Sequence, residues 1–393
     1  MNDKIQKKTI IQYIFSLNDV NEQRKFMIAN SDCFQNIDII INSPYANNIL
    51  SQMTETISPE LKDSFISPFE YGGFYFLNLN NVLFDTSFVS YTLDISLDTQ
   101  IVSYINSYQR NKLNDEKLKS IVELICSPNK VVSAINFMPF LDENYLFECK
   151  LKQETYDTLY SVLLNRYKVE HTLFISKIKT KRHIKALLAN YKKFFPFTDQ
   201  RKYIYKHIYA CLLKTFLIKE EKGSVKNKFT KFLEFECNCL NNTLPNIYNV
   251  YVSILKKDPY KLYGKIHKNN SNILANIKNM CWDINHLYTL KKSMIFKRDN
   301  CVDVTLPLLF TYDKGLKEIS KLMKVKGVIV DHNSKDVDYY VDTSKIKNLV
   351  GEKTLEKLFC ISSKEKRFEV FNYQNIDLII EELEKELTAI YND

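Results

Sequence analysis

Two aspartates that each close a short apolar run are placed to offer oxygen ligands to a hard metal ion. One is Asp85, in Asn81-Val82-Leu83-Phe84-Asp85-Thr86-Ser87; the other is Asp313, in Leu306-Pro307-Leu308-Leu309-Phe310-Thr311-Tyr312-Asp313. Open α/β sheets bind ligands at the C-terminal ends of their strands, so a strand that delivers a carboxylate there suits a metal-dependent enzyme. Asp, Thr and Ser are also ordinary helix caps, and each aspartate therefore has a purely structural alternative.

Phosphodiester hydrolysis by Mg²⁺ or Mn²⁺ needs several converging carboxylates, because these ions take oxygen ligands and stabilise both the attacking and the leaving oxygen. Asp283 lies on a predicted helix one turn before His286. Glu143, with Asp142 beside it, follows the turn Phe137-Met138-Pro139-Phe140. Glu143 best suits a further ligand, with Glu234 and Glu236 as rivals.

Other chemistries find little support. The six histidines show no ligand pairing, and the nine scattered cysteines lack Cys-x-x-Cys spacing, as buried thiols in a reducing compartment would. No glycine-rich phosphate loop and no Gly-x-Ser-x-Gly elbow occurs. The N-terminal segment is mixed rather than apolar and no long apolar window exists, so the expected setting is cytoplasmic, with no membrane partner.

The elements that must position these residues follow from periodicity. Residues 1–70 read as a helical N-terminal region, in which Ile37 to Ile41 is a short strand or a helical turn. Residues 71–149 and 272–331 read as a discontinuous α/β core. Within it Phe74 to Leu77 and Val82 to Phe84 are strands, Phe88 to Leu93 a short helix and Leu97 to Tyr108 a longer one. Leu306 to Phe310, Lys314 to Met323 and Lys326 to Val330 alternate strand, helix and strand, as a parallel sheet requires. Residues 150–271 have apolar residues at helical spacing and read as an inserted bundle of about five helices. Residues 332–393 read as a small α+β appendage, with strands at Val337 to Val341 and Arg367 to Phe371.

Charge is concentrated in the insertion. From Lys150 to Lys231 there are 20 Lys and Arg against 6 Asp and Glu, a local +14 within a chain of net +9. Lys177, Lys179, Lys181 and Arg182, then Lys192 and Lys193 beside Phe194 and Phe195, combine phosphate-neutralising charge with rings on which bases stack. A solvated helical face and core packing of the two phenylalanines are the structural alternatives.

Leu83-Phe84-Asp85-Thr86-Ser87-Phe88, Trp282-Asp283-Ile284-Asn285-His286-Leu287 and the Asp313 segment together resemble the acidic motifs of PIN-like domain nucleases, which include toxin ribonucleases of bacterial toxin–antitoxin pairs. In that pattern Asp85 matches the first acid, Asp283 the third and Asp313 the fourth. Thr311 stands in the accompanying hydroxyl position, and Glu143 best suits the second acid. Ser87 stands where Asn is commoner. Asp85 and Asp283 are 198 residues apart, which requires the basic region to be an insertion. The resemblance implies a Rossmann-like parallel sheet, a site of Asp85, Glu143, Asp283 and Asp313 holding Mg²⁺ or Mn²⁺, and cleavage of single-stranded or structured RNA. Thr311 or Ser87 would position the attacking water. It further implies a toxin or antiviral role, a protein inhibitor or antitoxin as partner, and homo-oligomerisation. A non-catalytic nucleic-acid binder and a helical scaffold are the competing expectations.

Overall fold

The computed structural model describes residues 2–17, 19–84, 89–110, 115–126, 130–148, 150–169, 171–193, 198–267, 272–291, 294–297, 302–333, 336–359 and 375–392. The chain is a mixed α/β protein that divides into two compact units. The first comprises Met1–Phe137, Leu290–Thr311 and Lys324–Asp342; the second comprises Met138–Thr289, Tyr312–Met323 and Thr343–Asp393. No described helix is long and apolar enough to cross a membrane.

Every described strand belongs to the first unit. In chain order these are β1 (Ile37–Asn42), β2 (Phe65–Ile66), β3 (Phe74–Leu77), β4 (Val89–Leu97), β5 (Val132–Asn136), β6 (Ile295–Lys297), β7 (Val302–Phe310), β8 (Gly327–Asp331) and β9 (Asp336–Tyr340). They form an antiparallel sheet in the order β3-β1-β8-β9 and a mixed sheet in the order β2-β7-β4-β5, with β6 also on β7. Seven α-helices among the described residues accompany them: α1 (Asn2–Tyr13), α2 (Val20–Ala29), α3 (Ser31–Phe34), α4 (Ile49–Ile57), α5 (Leu79–Phe84), α6 (Thr99–Gln109) and α7 (Glu116–Cys126).

The run Ile37-Asp38-Ile39-Ile40-Ile41 becomes the inner strand β1, buried along its whole length. Ile37, Ile39 and Ile41 pack with Ile11, Ile14, Met27 and Phe34 from the N-terminal helices. Asp38 is tolerated in this core because its carboxylate accepts a hydrogen bond from His332 Nε2 at 2.6 Å. The N-terminal region is thus not a separate helical body but supplies a central strand. Likewise β9, read from the sequence as part of an appendage, pairs with β8 and edges the same sheet. The strand expected at Arg367 to Phe371 lies outside the described residues.

Two local readings are corrected. Val82 to Phe84 is the end of helix α5, not a strand. The N–H groups of Asn78 and Asn81 each donate to the other's side-chain oxygen at 2.8 Å, and Asn81 Nδ2 donates to Phe76 O at 2.7 Å. That reciprocal cap turns the chain into a helix just where apolar composition suggested a strand. The segment from Phe88 to Leu93, read as a short helix, falls largely in β4. There Leu93, Ile95 and Leu97 are fully buried on one face, each worth roughly 1.5–3 kcal/mol of burial.

The second unit is helical throughout its described residues. It holds α8 (Met138–Tyr145), α9 (Gln153–Lys168), α10 (Leu173–Lys193), α11 (Thr198–Glu220), α12 (Val225–Asn238), α13 (Tyr248–Lys256), α14 (Ile273–Leu290), α15 (Lys314–Ser320), α16 (Ser344–Val350), α17 (Glu352–Phe359) and α18 (Asn375–Asn392). Among the described residues between β5 and β6, every regular element is therefore a helix. α11 is the axis of this unit: Tyr203 to Leu213 and Thr215 to Ile218 are buried except Lys206, so it is enclosed on nearly every face. α12, α13 and α18 pack around it.

Candidate active site

Strands β7, β4 and β5 are parallel, so their C-terminal ends share one edge of the mixed sheet. That edge is where such sheets hold ligands. β4 and β7 pair in register from Val89 opposite Val302 to Leu97 opposite Phe310. The next residue on each strand is polar: Asp98 on β4 and Thr311 on β7. Asp98 N–H donates to Phe310 O at 3.2 Å, and Thr311 Oγ1 donates to Asp98 Oδ2 at 2.8 Å. Both residues are buried. Asp98 also precedes α6, yet its carboxylate takes no capping hydrogen bond from that helix.

Alternation along β4 sets Thr92, Asp94, Ser96 and Asp98 on the face opposite Leu93, Ile95 and Leu97. A strand inside a parallel sheet is ordinarily apolar on both faces, and a polar stripe here is a departure. Thr92 Oγ1 and Thr305 Oγ1 are hydrogen-bonded at 3.2 Å. Asp94 Oδ2 accepts from Asn136 Nδ2, on β5, at 3.4 Å, while its Oδ1 is buried with no hydrogen-bond partner. Burial pushes the Asp94 carboxyl up to about 6, against the lowering effect of Asn136. Hard divalent ions take such carboxylate oxygens, and a cation would relieve a desolvated carboxylate with an orphaned acceptor. Asp94 and Asp98 are four strand residues apart, about 13 Å, and so serve different points of the face.

Asp85 and Ser87 lie outside the described residues; Asp85 follows helix α5 rather than a strand. Asp313, in the second unit, is the N-cap of α15, its Oδ1 accepting from Leu316 N at 2.9 Å. Glu143 is exposed and Asp283 half-buried, on α8 and α14. Among the described residues, Glu143, Asp283 and Asp313 do not bring three ligand atoms within 4.8 Å of one another; His207, Cys211 and Glu236 do. Lys177, Lys179, Lys181 and Arg182 are exposed on α10. Lys192 and Lys193 close that helix with side chains outside the description, and Phe194 and Phe195 lie outside it altogether.

The His207, Cys211 and Glu236 cluster does not suit Mg²⁺ or Mn²⁺, which prefer oxygen ligands in an open octahedral shell. It is fully buried, and Glu236 is already engaged. Its Oε1 accepts from His207 Nε2 and Leu244 N, both at 3.0 Å, and its Oε2 from Tyr248 OH at 2.6 Å. These bonds tie α11, α12 and α13 together, while His207 Nδ1 stays buried without a hydrogen-bond partner. Glu234, its neighbour on α12, is exposed.

A second buried carboxylate joins three helices. Asp142 Oδ1 accepts from Tyr191 OH at 2.6 Å, and its Oδ2 pairs with Arg201. Burial nonetheless outweighs both partners and pushes the carboxyl up to about 6. His286 is driven down to about 3, by burial first and then by the Arg201 charge, and is neutral.

Sequence reading missed Asp94, Asp98 and Asp142 as chemically distinctive. A signal for the first two existed in Leu93-Asp94-Ile95-Ser96-Leu97-Asp98-Thr99, a period-two alternation ending in Asp-Thr.

Compared with protein-family profiles, characterised proteins and solved structures, the chain gave no match.

Proposed function

We propose that the protein is a metal-dependent ribonuclease of PIN-like kind, in which Asp98 rather than Asp85 is the first acid. The observation that carries this reading is the Asp98–Thr311 hydrogen bond across neighbouring parallel strand ends. Asp98-Thr99-Gln100 follows a strand, as the first PIN-like motif does, whereas Asp85 follows a helix. Thr311 keeps the hydroxyl role that the resemblance assigns it, and Asp313 stands two residues along the chain.

Asp98 would supply one carboxylate to Mg²⁺ or Mn²⁺, with waters and the phosphate oxygens of the RNA completing the shell in place of further converging carboxylates. Such an ion lowers the pKa of water and neutralises charge on the phosphate oxygens when bound. Thr311 contributes by fixing the Asp98 carboxylate through its donated hydrogen bond, so that little reorganisation is needed on ligand binding. Leu97 and Phe310, fully buried, hold the two strand ends in register and keep the edge rigid. The exposed cations of α10 would attract RNA phosphates.

Purified protein with labelled single-stranded RNA tests the proposal. Cleavage should require Mg²⁺ or Mn²⁺, stop with EDTA, and vanish in Asp98→Asn while persisting in Asp85→Asn. Cleavage that survives Asp98→Asn overturns the assignment. Salt-sensitive RNA binding with no cleavage under any divalent ion would instead favour a non-catalytic binder, a reading supported by the exposed Lys177, Lys179, Lys181 and Arg182.

A further inference from the structure

We propose that a cleft in the helical unit binds a nucleoside diphosphate, with lysines on the phosphates and tyrosines on the base. The cleft, about 470 Å³, lies among the C-terminal end of α11, the segment after α13, and Tyr391 of α18. That volume falls in the range of small-ligand pockets, roughly 300–1,000 Å³. The inference concerns the second unit alone and does not rest on the nuclease reading.

One part of the cleft is cationic. Lys219, Lys257 and Lys261 line it. Lys219 is half-buried with its Nζ 5.4 Å from the centre of the Phe216 ring. Burial is the main cause that lowers its pKa; the Lys257 charge adds to this and Glu220 opposes it. Three ammonium groups against the carboxylates of Glu220 and Asp258 leave the lining net positive, and a half-buried ammonium such as that of Lys219 attracts an anion more strongly than one on an open surface.

Lys257 is held there by an unusual backbone. It follows α13 at φ 61°, ψ 37°, with its N–H returned to Ile254 O at 3.0 Å. Glycine or asparagine is the usual occupant of this left-handed position. A lysine carries a conformational penalty there that its charge can justify.

The rest of the lining suits a nucleoside. Tyr260 and Tyr263 stand edge to face with ring centres 5.6 Å apart, offering aromatic surface to a base. Asp258 supplies an acceptor for ribose hydroxyls. Glu220 is oriented by Tyr391 OH, which donates to its Oε1 at 3.2 Å. A bare polyphosphate would leave these acceptors unused.

Calorimetric titration of the full-length protein with ADP, GDP, adenosine and pyrophosphate tests the inference. One saturable site should bind ADP or GDP at least about tenfold more tightly than adenosine or pyrophosphate. Lys257→Gly removes the charge while suiting the left-handed backbone, so its melting temperature should be maintained while nucleotide affinity falls about tenfold or more. Lys261→Gln should weaken binding in the same direction. Asp98→Asn should bind nucleotide as the unaltered protein does, which separates this cleft from the strand-edge site. Equal binding of pyrophosphate and ADP, undiminished binding by Lys257→Gly, or no binding at all overturns the proposal.

Discussion

Thr311 and Asp98 stand 213 residues apart in the chain and are joined by a 2.8 Å hydrogen bond at the ends of two neighbouring parallel strands. The donor is a fully buried hydroxyl and the acceptor a carboxylate that leaves its own helix uncapped. Thr311→Val keeps the shape and removes the donor. If Asp98 holds a metal ion, the expected effect is a fall in RNA cleavage of about 10- to 100-fold, the loss typical of partners that orient a metal ligand. Thr311→Ser should restore most of that loss. A Thr311→Val protein with unchanged cleavage and metal dependence would show that the hydroxyl only fills space.

Asp94 should make the first unit less stable as pH rises. Its folded pKa of about 6 lies above the unfolded value of 3.8. The folded state therefore binds the proton more tightly, and this stabilisation is complete below the unfolded pKa and lost as pH passes 6. A shift of this size corresponds to about 3 kcal/mol. Asp94→Asn should abolish that dependence and raise the melting temperature at pH 7.5, measured by urea or thermal unfolding between pH 4 and 8. If Mg²⁺ or Mn²⁺ engages the orphaned oxygen, the unaltered protein, but not the variant, gains stability on adding the ion at pH 7.5.

In the helical unit, Arg201 compensates a carboxylate that burial already disfavours. Arg201→Met leaves the buried Asp142 carboxylate with the hydrogen bond from Tyr191 OH, and should cost about 3–5 kcal/mol above pH 6. Below that pH the carboxyl is protonated in the folded state and the cost should shrink. Adding Asp142→Asn to Arg201→Met should recover part of the loss, read as non-additivity in a double-mutant cycle. Additive losses would mean that the two side chains act independently.

Lys177, Lys179, Lys181 and Arg182 are exposed along α10. If they meet RNA phosphates, each substitution by Ala should weaken binding similarly across sequences and reduce the slope of log K against log salt by about one. Fluorescence anisotropy over a salt series reads both quantities. An unchanged slope after all four substitutions would place the RNA elsewhere.

The helical region after Phe137 was legible because its apolar residues recur at helical spacing over long stretches, where periodicity averages out local ambiguity. The succession of elements from Leu306 to Val330 was legible too, and with it Thr311 at a strand end and Asp313 at a helix start. But β7 and β8 lie in different sheets and β8 pairs antiparallel with β1 and β9, so the parallel sheet expected of them does not form. Asp313 proved to be the cap that its residue type also allowed. Short segments resisted. Val82 to Phe84 has strand composition, but the paired side chains of Asn78 and Asn81 decide for helix.

Leu93 to Leu97 carries a two-residue alternation that its sequence alone displays, yet the strand exists because Val302 to Phe310 arrives beside it from the far end of the chain. Hydrogen bonding to a partner, not local preference, fixes a strand, and no window of neighbouring residues contains that partner. The sequence by itself therefore determined a strand ending at Thr311, a basic helical body and the residue types available. Only the tertiary structure decided which aspartate stands at the end of a paired parallel strand, and that residue is Asp98.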